Sequence, residues 1–76
     1  MYNVQEKSLA LVHIRFDGRS WDVSFDTLGV TALASDAEMR AALARYLEVS
    51  DDRLRFYVLE RHLNGNMTLR PEAVFG

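Results

Sequence analysis

Cysteine is absent from these 76 residues, proline occurs once and tryptophan once. Without cysteine there is no disulfide framework and no thiolate metal site, so two of the usual staples of small domains are missing. No apolar run approaches the roughly 20 residues that a membrane helix needs. No secretory signal pattern opens the chain. The expectation is therefore cytoplasmic residence with no membrane partner. Charge of one sign is lacking too: nine basic residues stand against eleven acidic ones, for a formal charge of −2. Proteins that bind nucleic acid generally carry a strongly basic domain, so the balance disfavours that partner. Gly-rich phosphate loops, nucleotide fingerprints, Cys-x-x-Cys pairs and His-Glu-x-x-His helices are all missing. No cofactor and no metal are expected, and the chain is not read as an enzyme.

What is present is apolar content. At 49% it is ample for globular folding and too high for a disordered chain. One domain is expected, near the lower size limit for a self-sufficient core. Residues 1–7 read as a flexible lead-in and residues 8–76 as a single α+β domain. With no covalent staple, stability has to come from packing, and self-association into a homo-oligomer is one way to extend it.

Leu9–Phe16 and Arg19–Phe25 read as a β-hairpin turned at Asp17-Gly18, a pair favoured in type I′ turns. In that register Ile14 faces Trp21, Val12 faces Val23 and Ala10 faces Phe25 on an apolar side. His13 with Asp22 and Arg15 with Ser20 fall on a polar side, as in an antiparallel sheet covered on one face. Residues 26–34 form a crossover bent at Gly29, with Leu28, Val30 and Leu33 available to the core. A helix follows. Ser35 and Glu38 have capping-box spacing, Met39, Ala42, Leu43, Tyr46 and Leu47 form one apolar stripe, and Asp36–Arg40 is a surface pair. The helix ends near Glu48.

The last third admits two readings. Asn64-Gly65 between apolar-rich runs signals a second hairpin, Leu54–Phe75, with Leu63 opposite Asn66. Leu54, Phe56, Val58, Met67 and Leu69 then line one face, and Arg55, Tyr57, Leu59, Arg61 and Arg70 the other. Alternatively, Ser50 caps a helix that Gly65 stops. The Phe56–Leu59 run favours the strand. Pro71 cannot donate to a ladder and belongs at a strand end.

Hairpin, helix, hairpin (ββαββ), with a mixed four-stranded sheet carrying one helix on one face, resembles a β-grasp domain of the ubiquitin-like kind. The resemblance covers Leu9 to about Leu69. It implies that the first and last strands lie side by side and parallel at the sheet centre. Ubiquitin-like modifiers and sulfur carriers end in a Gly-Gly pair, where this chain has Val74-Phe75-Gly76.

Candidate sites are few. His13 beside Asp22, flanked by Ser20 and Ser24, has the outline of a nucleophilic site, but an open sheet face excludes no water, and a cross-strand polar pair accounts for it. Glu60 and His62 fall on the apolar face near the turn and are too few for zinc; a twist or bulge there would carry both to solvent. The mixture of Arg55, Tyr57, Leu59, Arg61 and Arg70, with Leu11 on the neighbouring strand, has the composition of interface hot spots. The expected role is a noncatalytic protein–protein interaction module using the open sheet face. Other readings are a modifier or sulfur carrier acting through Gly76, a small inhibitor or antitoxin, a nucleic-acid-binding domain stacking bases on Tyr57, and a structural subunit paired by edge strands.

Overall fold

Asp17 and Gly18 turn the chain as their residue types require. Both hold positive φ, 53° and 77°, which a two-residue type I′ turn demands. In the computed structural model, which describes residues 10–73, the flanking strands are β1, Leu11–Phe16, and β2, Arg19–Ser24. They pair antiparallel in the expected register, with Val12 opposite Val23, His13 opposite Asp22 and Ile14 opposite Trp21. The lead-in at residues 1–7, the strand start at Leu9 and the terminal Val74-Phe75-Gly76 lie outside the described residues.

Phe25 leaves the strand. Its N–H still donates to the Ala10 carbonyl at 3.2 Å, but Ser24 caps a single helical turn, α1, Phe25–Leu28, by accepting from the Thr27 N–H. This turn buries Phe25 and Leu28, whereas Leu33, expected at the core's end, is 93% exposed. Helix α2, Asp36–Leu47, starts with the full capping box: the Glu38 N–H donates to Ser35 Oγ and the Ser35 N–H to Glu38 Oε1. Met39, Ala42 and Leu43 of the stripe are buried, joined by Ala44. Tyr46 sits at the margin, its hydroxyl accepting from the Trp21 indole N–H at 2.9 Å. The expected Asp36–Arg40 pair is not formed; both side chains reach other elements, as described below.

Neither reading of the last third holds throughout. Asp51–Leu54 is a 3₁₀ turn, and the strand, β3, runs only from Tyr57 to Arg61 before β4, Met67–Pro71. The hairpin exists, but its register is shifted by one residue from the expected one: Leu59 pairs with Leu69, Val58 with Arg70 and Glu60 with Thr68. A type I′ turn at Asn64-Gly65 needs positive φ at both residues. Among the described residues only Asp17 and Glu48 are non-glycines with positive φ, while Gly65 holds 92°. The loop is therefore Leu63-Asn64-Gly65, closed by the Gly65 N–H to His62 O at 3.0 Å and the His62 N–H to Asn66 O at 2.9 Å. Asn64 Oδ1 accepts from the Asn66 N–H, the local bond by which asparagine stabilises turns without entering the left-handed region. Three-residue hairpin loops with glycine in that region are the next commonest kind after two-residue ones.

Energetics favour the shifted register. The two-residue turn would place Glu60 and His62 on the face where Met67 and Leu69 are buried, and burying an unpaired polar group is costly. The shift moves both to the opposite face. Gly65→Ala has open space around the new methyl, so its cost is conformational, about 1 kcal/mol. Thermal unfolding should show a Tm lower by about 4–8 °C; an unchanged Tm would mean that position 65 does not hold positive φ in solution.

The sheet has the order β2-β1-β4-β3. β1 and β4 are parallel, with Val12 beside Met67 and Ile14 beside Leu69. These four side chains, with Phe16, Val23, Phe25, Leu28, Leu54 and the α2 stripe, form the core; no polar or charged residue is buried among the described residues. The fold is α+β, with one main helix on one face of a mixed four-stranded sheet.

Candidate functional site

Because α2 covers one face, alternation along the strands sends every second side chain to the other, which is open among the described residues. The registers arrange that open face in three rows across the sheet. The first is Ser24, Leu11, Asn66 and His62. The second is Asp22, His13, Thr68 and Glu60. The third is Ser20, Arg15, Arg70 and Val58.

Polar bonds stitch the rows together. His13 Nδ1 lies 2.8 Å from Asp22 Oδ1, with both side chains about half exposed. His62 Nε2 lies 2.8 Å from Thr68 Oγ1, and the Leu11 N–H donates to Asn66 Oδ1 at 3.0 Å. Arg70 donates to Glu60 Oε2 at 2.9 Å, which holds the Glu60 carboxyl below its ordinary range and raises Arg70 in return. Arg15, in the middle of the third row, makes no ion pair or hydrogen bond through its side chain among the described residues. The face therefore presents one uncommitted guanidinium beside a paired one.

Of the six residues expected to form the contact surface, two lie on this face: Leu11 and Arg70. The shifted register sends Tyr57 and Leu59 to the other side. The Tyr57 ring packs 5.5 Å from that of Phe16, and Leu59 is half-buried against the core. Arg61 also lies on the covered side and turns to the start of α2, donating to Asp36 Oδ1 at 2.8 and 3.0 Å and to Ala34 O at 2.9 Å. Arg55 falls before β3, donating to Asp52 and stacking 4.7 Å from the Phe56 ring centre. A stacking platform at Tyr57 on the open face is thus ruled out by geometry. The signal that could have revealed the true face was the misplacement of Glu60 and His62, which a one-residue shift of the turn resolves.

A shallow hollow of about 170 Å³ lies among Leu11, His13, Asp22, His62 and Asn66 at the sheet's β4 N-terminal end. Ser24 is no nucleophile for His13 here, because its hydroxyl donates to Thr27 Oγ1 and accepts from the Thr27 N–H. No group of three or more His, Cys, Asp or Glu side chains is placed to hold a metal ion among the described residues. The arrangement suits surface contact: shallow, polar, internally bonded, with two half-buried aliphatic side chains, Leu11 within the first row and Val58 at the end of the third.

Fold and face define a small α+β domain with one open sheet surface. No protein-family model, curated protein or solved structure matches the chain. Among the described residues no helix is long and apolar enough to cross a membrane.

Proposed function

We propose that this chain is a β-grasp-like domain that acts without catalysis, by protein–protein contact through its open sheet face. The parallel β1–β4 pair at the sheet centre supports the β-grasp likeness. The functional reading rests on one observation: a face four strands wide that no described element covers carries Arg15, unpaired among the described residues, beside Arg70. A partner that fits it presents a carboxylate to Arg15 and apolar atoms to Val58. Arginine in such a setting is a frequent hot spot, because its planar fork binds carboxylates through two bonds.

The test is the double variant Arg15→Glu, Val58→Asp. A partner identified with the native chain should bind it about 30-fold more weakly or worse, the scale of losing one hot spot, while the far-UV spectrum is retained. Undiminished binding by the folded variant would sink the reading. The carrier role through Gly76 concerns a residue outside those described.

A further inference from the structure

The sheet treats its two edges differently. In the β3–β4 hairpin the Glu72 N–H donates to Phe56 O and the His62 N–H to Asn66 O, both at 2.9 Å. Alternation along an antiparallel ladder then turns the main-chain groups of Val58 and Glu60 towards β4 and those of Tyr57, Leu59 and Arg61 outwards. That outward row is guarded at its start. Arg40, half-buried on α2, donates to the Tyr57 carbonyl at 2.7 Å and to the Leu54 carbonyl at 3.0 Å. A charged side chain along a strand edge is a common defence against pairing with another chain.

Among the described residues, β2 has no such guard. The Phe25 N–H bond to Ala10 O sets the phase of the first hairpin: Arg19, Trp21 and Val23 bond to β1, while the main-chain groups of Ser20 and Asp22 point away from the sheet. Neither charge on this strand lies across the edge. Asp22 is directed to His13 on the open face, and the Arg19 guanidinium sits 5.6 Å from the Trp21 ring centre. Ser20 and Asp22 are exposed.

From this asymmetry we infer that β2 pairs antiparallel with β2 of a second copy, about a two-fold axis at Trp21, joining two sheets into one. The side chains select the register. With the axis at Trp21, the two indoles meet at a non-hydrogen-bonded position, where cross-strand neighbours approach most closely. Each Ser20 then exchanges main-chain bonds with Asp22 of the other copy. An axis at Asp22 would set two carboxylates directly opposite each other, which is destabilising. An axis at Val23 would set Ser20 opposite Asp26, where the chain has already turned into α1. The two-fold lies perpendicular to the sheet, so both open faces end on the same side and form one continuous surface. Two six-residue strands bury less than the roughly 1,200 Å² of the smaller stable interfaces, so the dimer dissociates on dilution.

Sedimentation equilibrium of the full chain from micromolar to millimolar concentration should show a reversible monomer–dimer equilibrium. Ser20→Pro removes an outward donor without touching a β1 bond and should weaken the dimer roughly tenfold or more, since the symmetry doubles each loss. The register is read separately in the otherwise cysteine-free chain. Oxidised Trp21→Cys should become disulfide-linked in high yield, because directly opposed positions fall within bridging distance, whereas Asp22→Cys should not. A native chain that stays monomeric at every concentration, or faster linkage of Asp22→Cys than of Trp21→Cys, overturns the inference. Open-face variants at Arg15 should leave the dimer intact, which separates this inference from the partner-binding proposal.

Discussion

Leu59→Asp should lower the unfolding free energy by about 3 kcal/mol, whereas Val58→Asp, one residue away, should cost about 1 kcal/mol or less. The contrast follows from the register alone. Leu59 lies opposite Leu69, which is fully buried, and packs against the core; Val58 lies opposite Arg70 on the open face. Removing a Leu side chain from core contact costs about 2–5 kcal/mol when the site is fully enclosed. Placing a carboxylate there adds a desolvation cost. Leu59 is only half-buried, so the total stays near the lower half of that range. Val58→Asp loses little beyond strand preference. Denaturant titration of both variants measures the difference directly. The reverse ordering would mean that the two-residue Asn64-Gly65 turn, with Val58 facing the helix, is the true one.

Arg40→Met should cost about 2 kcal/mol and make the protein prone to association along β3. One guanidinium holds two carbonyls, Leu54 O and Tyr57 O, from a half-buried position. Hydrogen bonds from a charged donor contribute about 1.5–3 kcal/mol. Methionine keeps the apolar stem of the side chain and removes only the head. Arg40→Lys should rescue little, because an ammonium is a compact point charge without the guanidinium's planar fork. The check is a lowered denaturation midpoint with an unchanged slope, together with a rise in light scattering with concentration. Full stability of the Lys variant would show that charge, and not the two-pronged geometry, is what matters. The outcome also bears on the edge argument: loss of the β3 guard adds a second association route, which a Ser20→Pro change in the same chain would leave intact.

The first half of this chain was legible because its signals are local and mutually consistent. Asp17-Gly18 suits a two-residue type I′ turn, and the alternation on both sides agrees with it. Ser35 and Glu38 bracket the start of a helix whose apolar stripe begins at Met39. Each of these is decided within a few residues, where backbone sterics and capping bonds dominate. The second half was legible only as an outline. Asn-Gly serves both a two-residue and a three-residue loop, and local chemistry does not separate them; the shift that results exchanges the two faces of β3. That is why the expected and observed registers agree on the open face for Leu11 and Arg70 and differ for Tyr57, Leu59 and Arg61. Glu60 and His62 held the clue, since a register that buries them unpaired could have been rejected on solvation grounds.

Arg40 and Arg61 illustrate the same limit. Helical spacing pairs Asp36 with Arg40, yet Asp36 is taken by Arg61 from β3, and Arg40 spans to two main-chain carbonyls. Both arginines have long stems and several donors, so their partners depend on which elements pack beside them and not on their neighbours in the chain.

The sequence by itself determined the first hairpin and its register, the capped helix, the apolar stripe and the presence of a second hairpin, since short-range sterics, capping bonds and two-fold or 3.6-fold periodicity leave little choice there. Only the tertiary structure decided which face of β3 meets the core, that Arg40 reaches the β3 edge, and so which surface stays open. Those choices depend on burying Leu59 while keeping Glu60 in solvent beside Arg70, a balance struck between strands far apart in the chain.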